Sequence, residues 1–386
     1  MVYDPYDART VADPFGAYRR LRDEFPVYHN EHRGFWALSR FRDVVDALRD
    51  HVSYSNREGI TLDRRMQPSQ PMLTNLDPPR HVKLRSLVSR AFTAQRIAAV
   101  EGSLRALAKE LLAEARERGG TIDFMSLFAS PLPTVIIAEM LGVPSEDREK
   151  FREWSDASNS WNPDDPEAEN RVMAAIFSLV QYIAEVLQER RKSPRDDLVS
   201  KLAAAEVEGD RLADEDIVGF CFLLLVAGNE TTAGLIGNTA LNLHQFPDQR
   251  RLLTREPLRI AKAVEEFVRF GGSVQGLTRT TTCDVTIHGQ VIPEGAIVMM
   301  LYAAANRDER EFAEPDRFDV TRQMKQHVGF GHGIHYCLGS ALASLETRVA
   351  FEELLALSPE YEVDLDSVTW AKSALTRSPS SLRVRL

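Results

Sequence analysis

The spacing of apolar positions describes a chain that is mostly helix. Asp13-Pro14-Phe15 opens a short amphipathic helix, a capping residue followed by proline in the first turn. Residues 27–29 and 35–38 read as a small hairpin, and a helix follows from 39 to about 50. No period holds over 57–75, which predicts a long loop of the kind that carries function or movement. Helical spacing then runs over 78–206, interrupted at Gly119-Gly120 and by a loop over 161–166. The longest pattern, 214–246, amounts to roughly 50 Å of helix. It is apolar on nearly all sides over 217–226 and should therefore pass through the centre of the protein. Another helix is expected over 257–270. Strands follow at 283–287 and 297–301, with the turn Ile292-Pro293-Glu294-Gly295 between them. A last helix begins near Leu338, and short strands near 361–363 and 381–384 end the chain. No repeat, linker or change of composition marks a boundary. The expected fold is mainly α with a minor β region, a single domain over residues 1–386 built round one long central helix.

Composition narrows the class. The 386 residues are 44% hydrophobic and 27% charged, enough to bury a substantial core. A net charge of −10 argues against nucleic acid as a general partner. Cys221, Cys283 and Cys337 lie far apart with no Cys-x-x-Cys pair, so neither a zinc site nor a disulfide framework fits, whereas a reducing cytoplasm does. The first residues are polar, with no apolar signal core. No uninterrupted apolar run approaches the roughly 20 residues of a membrane span. A cytoplasmic protein that meets no membrane is expected.

The candidate chemistry centres on Phe330-Gly331-His332-Gly333-Ile334-His335-Tyr336-Cys337-Leu338-Gly339. Glycines let a backbone turn tightly and approach a flat cofactor. A cysteine before a helix sees the positive end of the helix dipole, which favours thiolate over thiol. A thiolate is the electron-rich axial ligand that promotes O–O cleavage on haem iron. No Cys-x-x-Cys-His is present, so such a haem would be held without thioether links. In the middle of the long helix, Ala227-Gly228-Asn229-Glu230-Thr231-Thr232 sets a carboxylate and two hydroxyls in an apolar stretch. Buried groups of this kind need partners, and a threonine bonded one turn back can bend the helix. Gly228 removes bulk and could leave room for a small ligand such as O2.

The ten-residue stretch resembles the haem-binding signature of the cytochrome P450 superfamily, meeting each of its fixed positions. The likeness extends over nearly the whole chain and suits the soluble bacterial type. It implies heme b ligated by Cys337, with Phe330 and Gly339 as fixed positions of the cofactor loop. It implies that Glu230 and Thr231 form an acid–alcohol pair relaying protons to dioxygen. Glu266 and Arg269, three apart on one helical face, would form a buried pair tied to Arg322 that braces the cysteine loop. Asp77-Pro78-Pro79-Arg80-His81-Val82-Lys83-Leu84-Arg85 and Leu277-Thr278-Arg279-Thr280 resemble segments that contact haem. His81, Arg85, Arg279 and His335 would then serve its propionates.

The implied reaction inserts one atom of O2 into a small, mostly apolar molecule, by hydroxylation or a related oxidation such as dealkylation. Electrons would come from a ferredoxin-type donor and its NAD(P)H-dependent reductase. Lys83, Arg90, Arg322, Lys325 and Arg348 are candidates for a cationic docking patch. Substrate contacts are expected from 57–75, 155–175, 220–227, 272–277 and 373–379, and Arg57, Arg64 and Arg65 could anchor a substrate carboxylate. Two other readings stay open: a peroxide-driven peroxygenase, against which the acid–alcohol pair speaks, and a non-catalytic haem gas-binding protein.

Overall fold

The computed structural model describes residues 3–62, 72–158, 167–207 and 209–386. Its axis is the central helix Asp214–Gln245, which at 1.5 Å per residue is about 48 Å long. Asp214, Glu215 and Asp216 occupy its first turn, where carboxylates complement the helix dipole. Ile217, Phe220, Phe222, Leu235, Ala240 and Leu241 are buried on different sides of it. The helices Pro131–Leu141, Ala168–Lys192, Ile260–Gly271 and Ser340–Leu357 pack round it, as all-round apolarity requires.

Among the described residues, two helices, Ala168–Lys192 and the central one, are long and apolar enough by length and composition to cross a membrane. Counting unbroken apolar residues does not register them. The central helix meets the test because it is mostly buried inside the fold.

The hairpin Val27–Asn30 with Phe35–Leu38 is present and extends into a five-stranded sheet. Ile297–Met300 lies parallel to Phe35–Leu38 and antiparallel to Leu277–Thr281, which pairs in turn with Tyr54–Ser55. The 283–301 region divides differently from the two strands expected there. Val285–Ile287 folds back on Gln290–Ile292 through His288-Gly289 as a separate hairpin, and the partner of Ile297–Met300 is the strand carrying Arg279. The chain's last strand, Arg383–Arg385, lies between Glu362–Val363 and Thr121–Asp123, a strand hidden within the helical stretch. The 161–166 loop lies outside the described residues. Cys221 is wholly buried, with its thiol pushed up to about 12, whereas Cys283 is exposed.

Candidate active site

The loop before Ser340–Leu357 is shaped by two glycines. Gly331 and Gly333 both have φ of +71°, and a Cβ on Gly333 would stand 2.4 Å from the Leu48 carbonyl oxygen. Only glycine meets both demands without strain. Gly339 has an ordinary φ of −82° and caps the helix. The Cys337 amide donates to the Phe330 carbonyl at 2.9 Å, and Val328 N–H donates to Asn306 Oδ1 at 2.8 Å.

Behind the loop stands a buried ionic brace. Arg269 donates to both Glu266 oxygens, at 2.6 and 2.8 Å, and to the Asn306 and Pro315 carbonyls at 2.9 Å. Arg322 adds a contact to Glu266 at 3.3 Å and donates to the Ala313 carbonyl at 2.7 Å. Asp319 N–H donates to the same carboxylate at 2.9 Å. The arrangement agrees with the resemblance. It also repairs a cost, since a buried pair is tolerable only when its remaining hydrogen-bonding capacity is met.

Cys337 is half-buried, and burial pushes its thiol above the ordinary range. Hydrogen bonds from the Gly339 and Ser340 amides and the charge of Arg85 pull the other way. The amides at the helix N-terminus act in the expected direction, towards thiolate, and burial works against them. A coordinating metal reverses that balance, because it deprotonates a thiol outright.

His81, on Arg80–Ala91, meets His335 of the loop with ring centroids 4.1 Å apart. Both His81 ring nitrogens and His335 Nε2 are buried without a hydrogen-bond partner. Burial and the neighbouring guanidiniums lower His81 to about 4 and His335 to about 2. Arg85 donates to the Tyr336 carbonyl at 2.6 Å, and buried Arg279 to the Thr278 carbonyl at 2.7 Å. Unsatisfied imidazoles beside two guanidiniums suit a ligand bearing carboxylates, so the donor set fits the propionates of a haem. His51 and Tyr302 join this cluster, and sequence reasoning missed both.

On the central helix, Thr231 Oγ1 donates to the Ala227 carbonyl one turn back at 2.6 Å, and Ser273 Oγ caps the Thr231 carbonyl at 2.7 Å. Glu230 accepts from Thr376 Oγ1 at 2.7 Å. The idea that Gly228 leaves room for a small ligand is corrected. A Cβ there would meet Ile137 Cδ1 at 2.6 Å, so that space is filled, and the open position is Ala227. One turn of this buried helix thus presents a surface a flat cofactor can lie against. Glu346, nine residues after the cysteine, was also missed. It is fully buried, shares a hydrogen bond with Thr232, and is pushed up to about 8 by burial.

Four of the five proposed docking cations have partners within the chain. Arg322 belongs to the brace, Lys83 pairs with Asp210, Arg90 donates to the Glu206 carbonyl, and Arg348 pairs with Glu101 and Glu352. Lys83, Arg90 and Lys325 are exposed, whereas Arg322 and Arg348 are largely covered and engaged by carboxylates. Arg57 is exposed, and Arg64 and Arg65 lie outside the described residues.

The comparisons agree with this geometry. The family model "Cytochrome P450" matches residues 17–262 and 257–370. "Putative cytochrome P450 123" of Mycobacterium tuberculosis is 39% identical, with 100% of this chain and 96% of that protein covered. "Vitamin D(3) 25-hydroxylase" of Pseudonocardia autotrophica is 41% identical over the same shares. Among solved structures, cytochrome P450 CYP109Q5 from Chondromyces apiculatus superposes with a TM-score of 0.90 at 36% identity, covering 100% of this chain and 98% of that one. CYP109E1 from Bacillus megaterium, in complex with corticosterone, gives 0.90 at 33% identity over 98% and 99%. The fold and site define a haem-thiolate oxidoreductase, and the chain belongs to the cytochrome P450 family of bacterial monooxygenases, whose cofactor is heme b.

Proposed function

We propose that residues 1–386 act as one unit, a cytoplasmic monooxygenase that inserts one oxygen atom from O2 into a small, mostly apolar organic molecule, by hydroxylation or a related oxidation. The observation that carries this reading is the glycine-shaped loop, which fixes Cys337 in front of an ionic brace and beside unsatisfied imidazoles. Cys337 would ligate the iron. Phe330 and Gly339 would border the cofactor, while His81, Arg85, Arg279 and His335 would hold its propionates. When bound, heme b supplies the oxygen-activating chemistry.

The chain's own residues do the rest. Glu230, held by Thr376, and Thr231, bonded to the Ala227 carbonyl, are successive residues of the central helix, and the two would move protons into the pocket. The apolar positions over 220–227 and the segments 272–277 and 373–379 orient the substrate and exclude water. A ferredoxin-type donor with an NAD(P)H-dependent reductase supplies two electrons. Named ligands of relatives, vitamin D3 and corticosterone, make fused-ring lipids the first compounds to screen.

The test is the absorption spectrum of the dithionite-reduced, haem-loaded protein under carbon monoxide. A strongly red-shifted Soret band in the native protein and its loss in Cys337→His support the reading. A Soret position typical of nitrogen ligation in the native protein overturns it.

A further inference from the structure

The acid on the central helix is held by the loop that precedes the last strands. Thr376 Oγ1 donates to Glu230 Oε1 at 2.7 Å. Thr376 is itself well fixed. Its amide donates to Ser373 Oγ at 3.1 Å, and it forms an isolated β-bridge with Val274. On either side, Gln275 N–H donates to the Leu375 carbonyl and Arg377 N–H to the Ser273 carbonyl, both at 2.7 Å. Asn238, two turns beyond Glu230 on the same helix, donates to the Arg377 carbonyl at 2.8 Å. The loop therefore grips the central helix at two heights, through backbone at Asn238 and through a single hydroxyl at Glu230.

We propose that Thr376 is a positioning residue: its hydroxyl aims the Glu230 carboxylate and makes that aim depend on the 373–378 loop, so occupancy of the pocket is transmitted to the acid. The proposal rests on the assignment of Glu230 and Thr231 as the proton-handling pair. A glutamate has three side-chain torsions, and a partly buried one without a fixed partner samples several rotamers. A hydrogen bond to an ionised carboxylate favours one arrangement on the order of tenfold or more. The same loop faces the segment 272–276, also expected to touch substrate, so a ligand pressing on either shifts the donor. Space for that shift is present. A pocket of about 20 Å³, open on one side to solvent, lies beside the loop, lined by Tyr18, Gln275, Ser373, Thr376 and Arg377. Interiors are otherwise close-packed, so movement costs least where such space exists.

The contact is also selective in what it asks of the residue. A valine at 376 keeps the shape and loses the donor, a serine keeps the donor, and neither alters the backbone bonds that fix the loop. A purely structural role would follow shape, whereas positioning follows the hydroxyl.

The experiment uses the haem-loaded protein with 4-phenylimidazole as the pocket-filling probe, read by hydrogen–deuterium exchange over 228–234 and 373–378. In the native protein the probe should change exchange in both segments together. Thr376→Val should raise exchange over 373–378 roughly threefold to tenfold and abolish the probe's effect on 228–234, while Thr376→Ser restores it. Glu230→Ala should mimic Thr376→Val, and the double variant should add nothing. A Thr376→Val protein indistinguishable from native, or single effects that simply add, overturns the proposal. A separate measurement tests the assignment beneath it: Glu230→Gln should raise the share of consumed dioxygen that leaves as hydrogen peroxide. If that share is unchanged while the exchange results hold, the proton-handling role fails and the Thr376 link stands.

Discussion

His81 and His335 meet ring to ring, 4.1 Å between centroids, one from an early helix and the other from the loop that carries the cysteine. Both His81 ring nitrogens and His335 Nε2 are buried with no partner within the protein, so they are set to bond something else. His81→Phe and His335→Phe keep the ring volume and remove the donors. Each is expected to speed haem loss to an apoprotein acceptor about tenfold, the scale of one hydrogen bond to a charged group. Unchanged release in both would remove these residues from the cofactor site.

The Glu266–Arg269 brace predicts a stability effect without direct contact with cofactor. Glu266→Gln leaves the buried Arg269 guanidinium and the partly buried Arg322 short of a charge, at a cost of about 3–5 kcal/mol. Thermal unfolding should begin several degrees lower, with less haem retained on purification. A Tm within a degree of native would show that the pair is dispensable.

Glu346 gives a pH dependence whose sign is fixed. Burial raises its folded value to about 8 from an ordinary 4.5, so the fold favours the protonated form and the unfolded chain releases the proton earlier. Its contribution to stability is full below about 4.5 and is lost as pH rises to about 8. Glu346→Gln should therefore unfold near the native Tm at pH 5 and clearly above it at pH 8.5. A Tm difference that does not vary with pH would contradict the burial argument.

Gly333→Ala should disorder the cysteine loop. The left-handed backbone and a Cβ at 2.4 Å from the Leu48 carbonyl oxygen cannot both be relieved without moving one chain or the other. The ratio of Soret to protein absorbance is expected to fall severalfold, with helix content by circular dichroism nearly unchanged. Native haem content would show that the loop can yield.

What could be read from sequence was whatever repeats locally. The all-round apolar run of the central helix, the glycine-punctuated cysteine stretch and the i,i+3 spacing of Glu266 and Arg269 each confine their signal to a few neighbouring residues. What escaped depends on distant chain. Leu277–Thr281 is only five residues long, and its pairing with Ile297–Met300 passes over an intervening hairpin. Tyr302, His51 and Glu346 acquire meaning only from what lies against them. Gly228 was misread for the same reason, since a missing side chain does not tell whether the space is open or, as here, filled by Ile137.

The unequal exposure of the three thiols has a practical consequence. Cys221 is sealed within the central helix, and Cys337 is half-buried in its loop, whereas Cys283 stands on the surface beside the Val285–Ile287 hairpin. A maleimide dye or spin label should therefore react at one position without any engineered cysteine. The native chain thus brings its own attachment point for distance measurements to the 373–378 loop, from which it is remote in sequence.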